Sequence, residues 1–221
     1  MDKLFLISHY EKDFRWVRDY TDYYLVYNKN PKSPYSDLSH IMQVKNVGVN
    51  IHTLMHYIYY NYEFLPDLIV TLQDNPFDHC RREKFNELIQ RNKFTPIEEY
   101  YHNPSNSYEQ RDYDGGFLEI NNNWVIDAHN KSYGLTCKYS SLDQFMHKYF
   151  SNYQHIDWIR FAPGAMYIIE KSQILHYPKK LWLSLMNEFD KPNMTEAHIV
   201  ERCLWMIFSC TLKIREEILE N

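Results

Sequence analysis

Leu68-Ile69-Val70-Thr71-Leu72, followed at once by Gln73-Asp74-Asn75-Pro76-Phe77-Asp78-His79, decides the fold. A β-rich apolar run that stops in a polar, proline-bearing loop reads as a strand feeding a loop. Just upstream, Ile51, Leu54, Met55, Ile58 and Tyr62 recur at i, i+3, i+4, i+7 and i+11, the spacing of one helix face. That helix is expected to begin near Asn46 or Asn50 and to stop near Pro66. Helix, strand and loop alternating in this way indicate an α/β protein.

Working outward, Leu4-Phe5-Leu6-Ile7 reads as a buried strand running into a polar loop. Tyr23-Tyr24-Leu25-Val26-Tyr27 reads as a second strand, ended by Asn28-Lys29-Asn30-Pro31, where Pro31 biases Asn30 away from helix. Phe85 to Arg91 suggests a short helix, and Tyr101 to Gly116 a long polar loop. Phe117-Leu118-Glu119-Ile120 and Trp124-Val125-Ile126-Asp127 flank three asparagines, which predicts a β-hairpin. Ala165 to Ile169 is expected to be the last strand, followed by a helix over Lys179 to Phe189. A longer helix, capped by Thr195, then carries Ile199, Cys203, Ile207 and Cys210 on one face. No repeat or composition break marks a linker, so residues 1–221 are expected to form a single domain.

A chain of 221 residues can bury roughly 70% of its unfolded surface, enough for a core without metal or disulfide staples. Net charge is −5, which offers no general field for nucleic acid. No apolar run approaches a membrane span and the N-terminus lacks a signal-peptide pattern, so a cytoplasmic location is expected. Cys80, Cys137, Cys203 and Cys210 have no zinc-module spacing and read as reduced thiols. Twenty Tyr against five Gly fits an AT-rich coding sequence and supplies amphipathic surface for core or pocket walls alike.

Three segments, Tyr27-Asn28-Lys29, Asn46-Val47-Gly48, and Leu65-Pro66-Asp67 leading to Leu72-Gln73-Asp74-Asn75-Pro76-Phe77-Asp78-His79, together resemble a family of glycosyltransferase-like proteins of unassigned activity. Gly164-Ala165-Met166, Ile174-Leu175 and Glu201-Arg202 with Trp205 and Phe208 are similar to that family's closing pattern. Where the family pattern continues with Arg-Glu after Asn-Val-Gly, this chain has Val49-Asn50. The resemblance implies a Rossmann-like, mostly parallel sheet with helices on both faces, as in A-type glycosyltransferases. It also implies a nucleotide sugar as donor and a hydroxyl acceptor on a glycan or protein.

A transferase of this kind places carboxylates at the C-terminal end of a central strand, where a divalent cation, Mn or Mg, bridges them to the donor diphosphate. Asp74, Asp78 and His79 are the candidate ligands, with Asp78 alternatively capping the next helix. His9, Glu11, Asn28, Lys29, Asn46, Gly48, Gln73, Asp74 and Asn75 are the candidate donor-binding residues. A general base near the acceptor hydroxyl is sought among Glu201, Asp127 and Glu170, with Glu201 and Asp127 preferred. Glu201 alternatively pairs with a cation in the last helix.

Other candidates carry less. Asp112-Tyr113-Asp114 is a literal Asp-x-Asp, but with 14 Asp in 221 residues about one such triplet arises by chance. His52 and His56 lie four apart without the Glu of a zinc-protease helix, so a surface or hydrogen-bonded pair is expected. Arg15-Trp16 reads either as a base-stacking element or as aromatic core. Two further readings compete with the transferase: a non-catalytic protein of the same fold, motivated by Val49-Asn50, and a two-metal hydrolase built on Asp74, Asp78 and His79.

Overall fold

The computed structural model describes residues 1–35, 39–99 and 116–220. Its centre is a six-stranded sheet built from β1 (Lys3–His9), β2 (Tyr24–Asn28), β3 (Ile41–Gln43), β4 (Leu68–Gln73), β5 (Thr95–Pro96) and β8 (Tyr167–Glu170). The spatial order is β3-β2-β1-β4-β8-β5. β1 runs parallel to β2 and β4, β2 runs parallel to β3, and β8 is antiparallel to both its neighbours. A second, two-stranded sheet pairs β6 (Phe117–Ile120) with β7 (Trp158–Phe161). The helices are α1 (Val49–Asn61), α2 (Arg82–Leu88), α3 (Trp124–Tyr133), α4 (Leu142–Tyr149), α5 (Lys171–Leu175), α6 (Lys179–Met186), α7 (Thr195–Phe208) and α8 (Glu216–Glu220).

Strand alternation explains why both sheet faces are covered. Leu4, Leu6, Tyr27, Ile69, Tyr167 and Ile169 face one core, shared with α1, α6 and α7. Phe5, Ile7, Tyr24, Val26, Val70, Leu72 and Ile168 face the other, closed by Val17 of a 3-10 turn and by Phe85 and Leu88 of α2. Each fully buried Leu, Ile or Phe contributes about 1.5–3 kcal/mol relative to exposure. A one-residue slip of β1 would exchange its two apolar sets between the layers, so the register is strongly specified. The mostly parallel α/β sheet with helices on both faces is therefore present.

Several local expectations are corrected. The predicted hairpin does not form: β6 pairs with β7, and Trp124 to Asp127 open helix α3. Asn123 is left-handed at φ 60° and Asn122 Oδ1 accepts the Trp124 N–H, which turns the chain out of the strand. A short apolar run does not distinguish strand from buried helix. Helix α1 does begin near Asn50 as expected, at Val49, and is entered through Gly48. Thr195 is the first residue of α7, not its cap, and its hydroxyl bonds Asn130. Cys203 is buried on α7, whereas Cys210 lies beyond the helix end. The loop from Tyr101 onward lies outside the described residues except for Gly116, as does Asp112-Tyr113-Asp114.

Candidate functional site

From β1 the chain steps to β2 and β3 on one side, then crosses by α1 to β4 on the other. Ligands of open α/β sheets bind outside the carboxyl ends of the strands at this kind of switch point. Ser8 pairs with Tyr27 and Gln73 across the three central strands, and beyond that edge two cavities open. They share Val49, Asn50 and Gln73 on their walls. Their volumes, about 360 and 490 Å³, fall in the range of small-molecule sites.

The smaller cavity is lined by Ser8 and Tyr10 from the end of β1, Lys29 after β2, Asn46 before α1, and Asp74 after β4. Lys29 is only 3% exposed. Its Nζ donates to the Val47 carbonyl at 2.7 Å and to the Val49 carbonyl. Among the described residues no carboxylate lies within ion-pair distance of it. Burial pushes its amine down to about 7 from the ordinary 10.5.

Near Lys29, His52 and His56 follow one another along α1 with tilted rings, centroids 5.6 Å apart. His52 is pushed down to about 3 by burial and by the nearby Lys29, His56 and Lys45. The Nδ1 atoms of both histidines are buried without a hydrogen-bond partner, so the pair is neither surface-exposed nor fully hydrogen-bonded as expected.

The backbone entering α1 is unusual. Gly48 and Val49 both have positive φ, 53° and 42°. For a β-branched residue this is a genuine outlier, of the kind that clusters at ligand sites and costs about 1–3 kcal/mol. A side chain on Gly48 would overlap the Phe189 ring. Val49 stands on the wall common to both cavities.

The larger cavity combines aromatic walls, Phe117, Trp124 and Phe161, with His79, Glu119, His198, Glu201 and Arg202. Arg202 and Glu119 form a buried fork, Nε to Oε1 at 2.6 Å and Nη2 to Oε2 at 2.9 Å. The guanidinium also lies 4.6 Å from the Phe161 ring centroid. Glu201 Oε1 accepts the Gly164 N–H at 2.6 Å, while Oε2 lies 3.5 Å from Arg202 Nη1 and 3.8 Å from His198 Nδ1. Burial raises the Glu201 carboxyl, but His198, Arg202 and the Gly164 N–H together outweigh it and hold the group below its ordinary value. Gly164, at φ 75°, keeps this turn close: a side chain there would press on His79 and Gln73.

The expected residues divide sharply. Lys29, Asn46, Gln73, Asp74, His79 and Glu201 line the cleft. His9 is buried between Asp74 Oδ2 and Ser33 Oγ. Asn28 is fully buried and bonds Gln43, and Glu11 contributes its backbone N–H to Asp74 while its side chain is exposed. Gly48 donates its N–H to the Lys191 carbonyl, and Asn75 bonds Asp78. Asp127 is exposed on α3, not at a strand end, and lines neither cavity. Glu170 bonds the Phe94 N–H and Gln173 at the start of α5. Trp16 packs among Tyr20, Phe77 and Phe85, the aromatic-core alternative.

The candidate metal residues Asp74 and Asp78 have partners within the protein. Asp74 Oδ2 accepts three successive backbone N–H groups, from Tyr10, Glu11 and Lys12 at 2.9–3.0 Å, together with His9 Nδ1 at 3.2 Å. It fastens the loop after β1. Burial raises its carboxyl, yet these bonds outweigh burial and the net shift is downward. Asp78 is exposed and accepts from Asn75 rather than capping α2, which starts after Arg81 without a side-chain cap. Among the described residues no three His, Cys, Asp or Glu side chains converge to hold a metal ion, so Asp74, Asp78 and His79 do not form a ligand cluster.

Glu119, Trp124, His198 and Asn50 are cleft residues that sequence reasoning missed. Glu119 lay inside an expected strand, where an isolated carboxylate among apolar residues is the only signal of a buried partner. Asn50 Nδ2 donates to the Gly164 carbonyl and ties α1 to the turn that holds Glu201. No helix among the described residues is long and apolar enough to cross a membrane. No family model matches the chain, and no curated protein or solved structure matches it.

Proposed function

We propose that the chain is a glycosyltransferase-like enzyme that seats a nucleotide sugar across the cleft. The diphosphate occupies the Lys29 cavity and a hydroxyl acceptor occupies the Glu201 cavity. The observation that carries this reading is the pair of chemically different cavities meeting at Val49, Asn50 and Gln73 on the carboxyl edge of the sheet. One side offers a buried amine and polar side chains, the other aromatic walls and an ionised carboxylate. The A-type fold is part of the same proposal, supported by the mostly parallel sheet covered on both faces.

In the transfer, the bond between the sugar anomeric carbon and the diphosphate oxygen breaks, and a bond from the acceptor oxygen forms. The acceptor proton passes to Glu201, and the nucleoside diphosphate leaves with the electron pair. Glu201 suits the base because it starts ionised and is held in place by the Gly164 N–H. Arg202 is occupied by Glu119 and therefore positions the cavity wall rather than the donor. Mn or Mg, where bound, would accompany the donor diphosphate and offset the charge of the leaving group.

Thermal unfolding against nucleoside diphosphates and their sugars, with and without Mn, tests the reading, because a ligand of the folded state raises the midpoint. A base-selective rise, followed by sugar transfer that drops at least about 100-fold in Glu201→Gln with donor binding retained, is the expected result. A donor-dependent rise without turnover on any acceptor would favour the non-catalytic alternative. No rise at millimolar donor would remove the nucleotide-sugar reading.

A further inference from the structure

Lys29 is the buried amine of the cleft. A neutral amine has two N–H groups and one lone pair, and an ammonium has three N–H groups. The fold provides two acceptors, the Val47 and Val49 carbonyls, which match the neutral form. A third N–H would need a third acceptor. Among the described residues none bonds Nζ, and the side chain stands on the wall of an open cavity. We propose that the phosphate groups of an anionic ligand enter this cavity and supply that acceptor, so that Lys29 takes up one proton as the anion binds. The inference rests on the cleft being the ligand site, as in the proposed function, and not on sugar transfer.

The surroundings favour an oxyanion. Helix α1 starts with no side-chain cap, and its first residues, Val49 and Asn50, line the same wall. The carboxamides of Asn46 and Asn193 line the cavity without an intramolecular partner among the described residues. The titratable groups around Lys29 are His52 and His56 from α1, with Lys45 beside His52, and Tyr10 and Asp74 on the cavity wall. His52 is neutral at physiological pH, and Asp74 directs one oxygen to three backbone N–H groups and His9. No contacting carboxylate therefore holds a proton on Lys29 in the free protein, and its low basicity agrees with that. In the bound state the proton comes from the buffer, and no bond to phosphorus changes.

The probe is inorganic pyrophosphate, titrated calorimetrically at pH 8 in two buffers of different ionisation enthalpy. The comparison is between the wild type and Lys29→Arg, which stays charged at all working pH. The pyrophosphate's own titration is common to both, so the difference belongs to Lys29. The expected result is close to one extra proton taken up by the wild type, with affinity falling about tenfold per pH unit between 8 and 9 relative to the variant. Lys29→Met is expected to lose at least about 30-fold in affinity at pH 7.

Should either variant fail to fold, lysine-labelled NMR of the wild type decides the matter. One ε-carbon is expected to titrate near neutral pH and to move up by more than one unit with pyrophosphate. Equal proton uptake in wild type and Lys29→Arg, a Lys29 that titrates above 10 without ligand, or no pyrophosphate binding at millimolar concentration would each overturn the inference. Proton-linked pyrophosphate binding without turnover of any nucleotide sugar would leave it standing and sink the transferase reading. Turnover without proton linkage would do the reverse.

Discussion

Glu188 and Lys29 are both buried ionisable residues, and the fold treats them in opposite ways. Glu188, 4% exposed after α6, accepts from the Tyr139 hydroxyl at 2.7 Å, from Lys148 Nζ at 2.5 Å and from the Tyr149 hydroxyl, with Lys138 Nζ 3.6 Å away. Lys29, equally buried, has two carbonyls and an open cavity. A buried charge whose partners are all intramolecular fastens structure. One whose last partner is missing marks a place where a ligand completes the set. The Glu188 network joins α4 to the end of α6 and lines neither cleft cavity.

The strongest way to break this contrast is Glu188→Leu. It strips two tyrosine hydroxyls and a lysine of their common acceptor, and Tyr149 is too buried to turn to water. A loss of roughly 3 kcal/mol is expected in denaturant unfolding. Burial raises the Glu188 carboxyl, but Lys148, Tyr149 and Tyr139 outweigh it and the net shift is downward. The network's contribution is therefore present above the ordinary carboxylate range and lost as pH falls through the folded value. A loss below about 1 kcal/mol would show that these bonds fasten little.

Lys29→Met sharpens the comparison from the other side. Removing the amine should leave stability at pH 7 nearly unchanged or raise it, because an apolar side chain of similar length replaces a desolvated group. The sign of the pH effect follows from the depressed amine. Between about 7 and the ordinary 10.5 the unfolded chain holds a proton that the folded one does not, so the Lys29 contribution grows more favourable as pH rises. The four cysteines, held up by burial, oppose this near the top of the window. The informative quantity is thus the difference between wild type and Lys29→Met, which should grow by about 1 kcal/mol between pH 7.5 and 8.5. Parallel stability profiles would mean that Lys29 stays charged in the folded protein.

How much of this was legible depends on the distance over which each feature is built. The apolar spacing from Ile51 to Ile58 and the run Leu68 to Leu72 are local, and both appear as α1 and β4. That Lys29 and Gln73 belong to one cleft followed from strand ends that a parallel sheet brings together. The β6–β7 pairing spans about 40 residues and left no local mark, so Phe117 to Ile120 was matched to the wrong partner. The Glu119–Arg202 fork joins residues 83 apart in sequence. The three backbone N–H groups that Asp74 accepts come from a loop more than 60 residues away in sequence, a contact that periodicity does not describe.

The smallest expected effect concerns the backbone that carries Lys29's second acceptor. Val49 holds φ at 42° while its carbonyl accepts from Lys29, so local strain and the ligand wall coincide at one residue, with no counterpart in the Glu188 network. Glycine relieves the left-handed penalty, but it also frees the unfolded chain and removes a packed side chain. The net change in Val49→Gly should be a gain of no more than about 1 kcal/mol at thermal unfolding. Because the carbonyl is then less firmly placed, pyrophosphate binding should weaken by about threefold to tenfold in the same variant. A stability gain with unchanged affinity would detach the strain from the site. A joint loss of both would mean that Val49 serves the α1 core rather than the cleft.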